Sequence, residues 1–485
     1  MGVFTLGLQG SAFVRSIERT ENRISFLSSF GLDDDATFMI PEGLTFDRYN
    51  DYHVLSKTNL GELRLAEFDS LGNLQEFKEL SIGSTSRSAK EIVGNDKDNL
   101  FMVGSADLST FAQKINSSGE IDWSASLTDE IDTGLVQKFH SVVLNSSQQL
   151  FALGTAEDVN RSHTTGSKYC EDLIVVKYDV DGSVLWQKRI SAGLDEDGTS
   201  NLSFMPFGIG LDNNGQIAIL AIRADWDGTD YTTGKGITLI KLDSVGTNVW
   251  QQEFEQPIAR ILESAAGLSV ETIYSNVSLS LDGFNNIYAF YTTQSGNAND
   301  GFDTFSVLVK YSGNGTLIYQ REINATNKEI VSKDVKVSLG GEVYALLANL
   351  TDKKSSLIKI LSNGTVSWER DFYLDDADFY TILTKIELDK FNNIIAAGTI
   401  INTTNERQGV LAKLPNDGTG IGTDTFKSKS IVYSVASLGV STPTYANFSP
   451  NYIVSDSSLA EEAITATTPT APSDTDKTII FEAGV

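Results

Sequence analysis

The sequence predicts an all-β fold, a seven-bladed β-propeller of four-stranded antiparallel blades. Three observations support this. A hairpin motif recurs seven times, a second hairpin precedes each copy, and an orphan strand near the N terminus matches the strand missing from the last copy. A length of 485 residues could hold several average domains, but propellers often use several hundred residues as one unit.

The recurring motif is seen best as "VVKYDVDGSVLWQKRI" at 175–190 and "LIKLDSVGTNVWQQEF" at 239–254. In six copies a lysine stands five residues before the turn glycine. In five copies an aromatic residue stands four residues after that glycine. Apolar residues alternate on both sides of the turn, which is typical of a β-hairpin because glycine supplies the positive φ. The turn glycines are Gly72, Gly119, Gly182, Gly246, Gly315, Gly364 and Gly418.

A second hairpin precedes each copy, as in "LDNNGQIAILA" and "LDKFNNIIAAG". Each repeat therefore contains four strands, and glycine spacings of 47 to 69 residues suit one propeller blade with loops of variable length. The seventh copy ends in "DGTGIGTDTF" and lacks its outer strand.

The missing strand is found near the N terminus. Residues 24–56 align without a gap on residues 366–398, with Phe26 falling on Trp368. We expect residues 24–30 to complete the last blade and close the ring, which removes exposed sheet edges. The predicted organisation is an N-terminal arm at 1–22, the propeller at 23–425 and an extended C-terminal arm at 426–485.

These repeats resemble the SBBP-type seven-bladed propeller repeats of bacterial surface proteins and phage structural proteins. The resemblance lies in the Lys-x-Asp strand end, the turn glycine, the outer-strand aromatic and the Asp-Asp turn, and it covers residues 24 to about 420. It implies a fold and little chemistry, because one fold carries many activities.

Composition excludes some functions. A formal charge of −27 would repel nucleic acids and anionic membrane surfaces, so neither nucleic-acid binding nor membrane insertion is expected. The single cysteine, Cys170, cannot form an internal disulfide. The N terminus lacks the pattern of a secretory signal, which predicts a protein made in the cytoplasm.

No catalytic signature is visible in the sequence. The three histidines, His53, His140 and His163, lie in different repeats without metal-ligand spacing, and no nucleophile elbow or P-loop is present. We therefore expect no enzymatic activity, no catalytic residues and no cofactor.

Loop length points instead to a binding face. Long insertions at 157–171, 191–205, 224–236, 255–274 and 293–303 open on one face over the third to fifth blades. Within the insertion at 224–236, Trp226 is a candidate binding residue, and the alternative is that its side chain folds over its own loop. Asp225, Asp227 and Asp230 are weak candidate ligands for a calcium ion. The candidate binding residues are Trp226, Tyr231, Asp225, Asp227, Asp230, Asp300, Phe302 and Asp303.

The two ends favour assembly. The C-terminal arm has apolar islands between runs of Ser, Thr and Ala, so it could dock in extended form on another chain; a flexible tail is the alternative. The sequence thus predicts a non-enzymatic component of a phage virion, on the tail, baseplate or fibre, that binds virion proteins through 1–22 and 426–485 and contacts a cell-surface glycan. The alternatives are a carbohydrate-binding or adhesion propeller on a bacterial surface and a polysaccharide-degrading enzyme.

Overall fold

The computed structural model describes most of the chain. The described residues are 26–30, 39–58, 62–80, 87–95, 97–106, 109–128, 137–162, 169–193, 202–225, 233–254, 277–297, 301–325, 328–402, 407–419, 422–426, 429–436, 438–441, 447–448, 453–456 and 460–463. Within these residues the secondary structure is β-strand without any helix, so none could cross a membrane as a helix.

Seven four-stranded antiparallel blades form a ring, as the repeats predict. Blade 1 contains β2 (Met39–Phe46), β3 (Tyr52–Thr58), β4 (Leu63–Phe68) and β5 (Leu74–Leu80). Blade 2 contains β6 (Arg87–Gly94), β7 (Leu100–Ala106), β8 (Ser109–Ile115) and β9 (Ile121–Thr128). Blade 3 contains β10 (Gln137–Leu144), β11 (Leu150–Ser162), β12 (Tyr169–Tyr178) and β13 (Val184–Ser191).

The remaining blades follow the same order. Blade 4 contains β14 (Ser203–Leu211), β15 (Ile217–Asp225), β16 (Thr233–Leu242) and β17 (Asn248–Phe254). Blade 5 contains β18 (Ser278–Leu281), β19 (Ile287–Asn297), β20 (Gly301–Tyr311) and β21 (Leu317–Asn324). Blade 6 contains β22 (Ile330–Val337), β23 (Val343–Asn349), β24 (Lys354–Ile360) and β25 (Val366–Leu374). Blade 7 contains β26 (Phe379–Leu388), β27 (Ile394–Asn402) and β28 (Arg407–Leu414).

The outer position of blade 7 is taken by β1 (Phe26–Phe30), which pairs antiparallel with β28 and places Phe26 opposite Lys413. Closure of the ring by residues 24–30 stays a prediction, and truncation of the chain can test it.

The C-terminal segment lies along the outside of the ring. After the hairpin of β29 (Gly422–Phe426) and β30 (Lys429–Val435) on blade 6, it adds a fifth strand to four more blades. These are β31 (Gly439–Ser441) on blade 5, β32 (Asn447–Phe448) on blade 4, β33 (Ile453–Asp456) on blade 3 and β34 (Ala460–Ala463) on blade 2. We call β30 to β34 the belt. Sequence reasoning placed this segment on another chain, whereas its described strands pair with this chain's own blades.

Apolar side chains from neighbouring blades fill the spaces between the sheets. One cluster joins β11 and β12 of blade 3 to β14 and β15 of blade 4, and another joins blades 4 and 5. The outer-strand tryptophans add hydrogen bonds between neighbouring blades. Trp250 donates its indole N–H to the carbonyl of Gly313 in the next blade at 3.0 Å. The repeated lysines also have structural roles, since buried Lys241 pairs with buried Asp212 at 2.8 Å. The repeated residues therefore hold the blades together.

Candidate functional site

The first strand of each blade lines the central channel of the ring. These strands start on the face where the second-to-third-strand links also open, which we call the loop face, and end at the short turns of the opposite face. A cavity of about 560 Å³ occupies the channel. This volume lies within the range of small-molecule binding sites, roughly 300–1,000 Å³.

A β-bulge interrupts six of the seven inner strands at equivalent positions, between residues such as Phe139 and Ser141 in β10 or Ser332 and Asp334 in β22. A bulge leaves one residue unpaired and re-aims its side chain, and bulges recur beside functional sites. The bulged residues are Glu42, Lys90, His140, Phe207, Lys333 and Thr384. All six line the cavity, and their chemistry differs from blade to blade, unlike that of the repeat motif.

Charged side chains are concentrated in this channel. Lysines are as numerous as carboxylates along the cavity wall, whereas acidic residues outnumber basic ones by 64 to 37 in the whole chain. The charged lining residues are Lys90, Lys138, Lys333, Lys336, Lys385, Glu42, Glu91, Glu171, Asp334 and Glu387. The channel is therefore much more basic than the rest of the molecule.

The carboxylates nearer the turns are engaged with the protein itself. The side chain of Asp334 accepts hydrogen bonds from the Ser278 hydroxyl at 2.7 Å and from the Ile386 N–H at 3.0 Å. Glu387 pairs with Lys336. Burial lowers the pKa of Lys336, but the carboxylates of Glu387 and Asp334 outweigh that effect and hold the pKa above its usual value. This lower layer is an internal ion-pair network.

Polar side chains also tie adjacent inner strands together around the channel. Glu91 of blade 2 accepts a hydrogen bond from the Val142 N–H of blade 3 at 2.8 Å, and Ser141 accepts one from the Ile209 N–H of blade 4 at 3.3 Å. Gly43 holds the equivalent position in blade 1, where a Cβ would lie 2.8 Å from a side-chain carbon of Ile92. These contacts fix the spacing of the strands that carry the channel side chains.

The channel is also lined by Lys90, Lys138, Lys333 and Lys385, which we call the cationic layer. Within the described part of the chain no carboxylate forms an ion pair with Lys90, Lys138 or Lys385. His140 stands among them. Burial and the nearby ammonium groups of Lys90 and Lys138 lower the pKa of His140 to about 3, so its imidazole is neutral at physiological pH.

Lys333 is the most buried member of this layer, with 2% of its surface exposed. Because burial penalises the ammonium form, the pKa of Lys333 falls to about 7. A lysine with such a pKa is partly deprotonated near neutral pH and can accept a proton. Half-buried Phe207 and the Thr384 hydroxyl complete the wall with an aromatic surface and a neutral hydrogen-bonding group.

The structure describes only three of the eight binding residues predicted from the sequence. Trp226, Asp227, Asp230, Tyr231 and Asp300 fall outside the described residues. Asp225 ends β15, paired with Thr233, while Phe302 and Asp303 lie in β20, and for these three only the backbone is described.

Part of the predicted loop 293–303 is strand. β19 and β20 extend to Asn297 and Gly301, which are paired, so the insertion is a hairpin that continues the blade beyond the ring on the loop face. Likewise β11 extends to Ser162, which pairs with Tyr169. Long insertions can continue an existing ladder because each added pair satisfies its backbone groups.

Metal and thiol chemistry gain no support in the described part of the molecule. Its His, Cys, Asp and Glu side chains form no group of three or more placed to hold a metal ion. Cys170 is a fully buried free thiol in β12. The candidate calcium ligands predicted from the sequence, Asp225, Asp227 and Asp230, have no described side chains.

Several solved structures are similar to this chain at low sequence identity. A polysaccharide lyase, Uly1, is similar with a TM-score of 0.45 and 10% identity, over 81% of this chain and 99% of that one. A Bacteroides caccae protein of unknown function is similar with a TM-score of 0.35 and 11% identity, over 63% of this chain and 89% of that one. Porphyromonas gingivalis dipeptidyl peptidase 4 is similar with a TM-score of 0.34 and 9% identity, over 72% of this chain and 56% of that one. No protein-family model and no curated protein matches the sequence.

These comparisons contradict two predictions made from the sequence. The prediction of a non-enzymatic phage virion component is wrong: the similar structures named above are described as a polysaccharide lyase, a dipeptidyl peptidase and a protein of unknown function. The prediction that the protein is not an enzyme is contradicted by the same finding. The physical reason is that the repeats specify the ring, and a ring of blades can carry catalytic groups that no local motif reveals.

Proposed function

We propose that the protein is an enzyme acting on an acidic polysaccharide, with its active site in the cationic layer of the central channel. The observation that carries this proposal is the meeting of Lys90, Lys138 and Lys385 in one cavity of a strongly acidic chain, without described ion-pair partners. Ammonium groups in a partly enclosed cavity bind carboxylate or sulfate groups, since the low dielectric strengthens the attraction. Phe207 supplies an apolar face on which a sugar ring can stack.

The reaction that suits this arrangement is β-elimination at a uronic acid. Lys333 takes the proton next to the carboxylate, the electron pair of that C–H bond forms a C=C bond, and the glycosidic C–O bond breaks. The leaving oxygen is protonated by water. The lysines that bind the carboxylate stabilise the negative charge that develops there in the transition state.

The test is turnover of acidic polysaccharides by the purified full chain. We expect uronate-containing or sulfated polymers to yield new reducing ends and ultraviolet-absorbing unsaturated products, and neutral polymers to yield neither. Because Lys333 must be deprotonated, the rate should rise with pH through about 7. Absence of products from every acidic polymer tried would overturn the proposal.

Variants separate binding from chemistry. Lys333→Arg keeps the positive charge but cannot act as a base, because a guanidinium stays protonated. It should lower kcat by at least about 100-fold with little change in KM. Lys90→Gln should raise KM, whereas the matched control Lys97→Gln removes an exposed lysine from a turn of the same blade and should change neither.

Two further expectations remain proposals. One is membership of the SBBP-type repeat proteins, which the repeat motif supports. The other is contact with partner proteins through residues 1–22 and 426–485 and with a cell-surface glycan, with a location at the bacterial surface.

A further inference from the structure

Three aromatic side chains occupy the same turn position in three blades. On the face opposite the loop face, which we call the turn face, a short turn joins the first strand of each blade to the second. The third residue of this turn is Tyr49 in blade 1, Phe284 in blade 5 and Phe391 in blade 7. These residues are 60%, 72% and 66% exposed. In blades 2, 3 and 4 the same position is polar, with Lys97, Ser147 and Asn214.

The three rings belong to one continuous part of the turn face. Blades 5, 6, 7 and 1 are neighbours in the ring, and the equivalent turn of blade 6 carries exposed Leu339. The turns of blades 5 and 6 are joined directly, because the N–H of Gly283 donates to the carbonyl of Leu339 at 3.1 Å. We call Phe284, Leu339, Phe391 and Tyr49 the aromatic arc. Exposed apolar side chains grouped in this way mark binding sites.

Hydrogen bonds hold the turns that carry the rings in one conformation. In blade 5 the Asp282 carboxylate accepts the N–H groups of Phe284 and Asn286, both at 2.9 Å. The turns of Tyr49 and Phe391 are held by the same two hydrogen bonds from the same positions. Side-chain oxygens of this kind fix the backbone of a turn. A ring on a fixed backbone loses little conformational freedom when it binds a ligand.

Positively charged side chains accompany two of the rings. The Arg48 guanidinium lies 4.5 Å from the centre of the Tyr49 ring, and the Lys390 ammonium lies 5.3 Å from the centre of the Phe391 ring. Arg48 also pairs with Asp98 of blade 2 at 2.9 Å. Both cations are exposed. In a chain with a formal charge of −27, this combination suits a ligand that has apolar faces and negative groups.

The ligand chemistry that matches the arc is that of an acidic polysaccharide. A sugar ring presents an apolar C–H face that stacks on an aromatic ring, and its carboxylate or sulfate groups attract ammonium and guanidinium groups. A stable protein interface instead has a contiguous apolar core. The rings of the arc stand one per blade, beside polar residues such as Asn285 and Lys390.

We propose that the aromatic arc binds an acidic polysaccharide on the turn face, with sugar rings stacked on Tyr49, Phe284 and Phe391. None of the arc residues lines the cavity of the channel, so this is a second site. The proposal does not rest on the reaction proposed for the channel, because stacking and charge pairing on the turn face require no turnover.

Electrophoresis of the full chain through gels that contain a polymer tests this. Dextran sulfate and alginate are the acidic polymers, and dextran is the neutral one. All chains carry Lys90→Gln, which weakens binding in the channel and leaves the arc unchanged. We expect both acidic polymers to retard the chain more than dextran does. Equal retardation by dextran, or none by either acidic polymer, would overturn the proposal.

Variants of the arc locate the binding. Phe284→Ala and Phe391→Ala should each weaken the apparent affinity roughly three- to tenfold, because a stacked ring is lost. Phe391→Leu should weaken it as much, since it keeps an apolar side chain without a ring face, whereas Phe391→Trp should bind at least as tightly as Phe391. Leu71→Ala is the matched control: it removes an exposed apolar side chain from an outer turn of blade 1 and should change nothing.

The outcomes separate this site from the channel. Unchanged retardation of the arc variants would place the binding in the channel and overturn the present proposal alone. Loss of retardation in the arc variants, in a protein whose unmodified chain cleaves no acidic polymer, would support the arc and contradict the function proposed for the channel. If Phe391→Ala changes only the oligomeric state measured by sedimentation, the arc is a contact between copies of this chain and the proposal is wrong.

Discussion

The indole ring of Trp123 in blade 2 lies so close to Gly182, the turn glycine of blade 3, that a Cβ on Gly182 would meet the ring at 2.7 Å. The same indole donates its N–H to the carbonyl of Val180 at 3.1 Å. Gly182 also has a φ of +89°, in the region that favours glycine. Its conserved position in the repeat thus serves the turn and the contact between blades.

Gly182→Ala should destabilise the propeller by about 2–4 kcal/mol, through the strained φ together with displacement of Trp123. Gly193→Ala is the matched control: its φ is +71° but nothing lies within 4 Å of the added Cβ. Thermal unfolding measures both. If the two variants lose equal stability, the contact with Trp123 contributes nothing.

Removing the ammonium of Lys241 should leave the carboxylate of Asp212 buried without its partner. We expect Lys241→Met to destabilise the protein by about 3–5 kcal/mol. Adding Asp212→Asn should restore much of this, because the amide oxygen can still accept the N–H groups of Asn214 and Gln216 that now bond to Asp212. Denaturant unfolding of the two single variants and the double variant gives the coupling, and additive losses would contradict this account.

Acid should destabilise the protein partly through His140. Its pKa is lowered from 6.5 to about 3 in the fold, so between these values the unfolded chain binds a proton that the folded chain does not. Stability is therefore lost as pH falls from about 6.5 towards 3. We expect His140→Gln to lose less stability than the wild type between pH 7 and pH 5, measured by unfolding midpoints. If the variant and the wild type lose the same stability between pH 7 and pH 5, His140 does not contribute to the acid sensitivity.

Truncation tests the closing strand. A chain lacking residues 1–22 should unfold at the wild-type temperature. A chain lacking residues 1–30 should unfold at a lower temperature and aggregate, because β28 then exposes its edge. Equal behaviour of the two truncated chains would show that residues 24–30 do not close the ring.

The sequence predicted the ring because glycine, lysine and tryptophan recur in it at nearly fixed offsets. It did not predict the channel site, because the bulged residues lie one in each of six blades and follow no repeated residue pattern; Lys90 and His140 are 50 residues apart and meet only once the ring forms. A signal was present in the polar residues that interrupt apolar inner strands, such as Lys333 in "IVSKDVKV". The belt was missed because backbone pairing on a sheet edge requires little of its side chains.

The belt also constrains the order in which the protein can mature. Its strands pair with blades 6, 5, 4, 3 and 2 in that order, so belt residues that are made later complete blades that were made earlier. The separation along the chain grows from 61 residues for Phe372 and Tyr433 to 334 for Leu127 and Glu461, and such long-range pairings form late in folding. During synthesis the outer edges of the early blades must therefore remain exposed until the belt residues that cover them have been made, and we expect the chain to be most prone to aggregation in this interval.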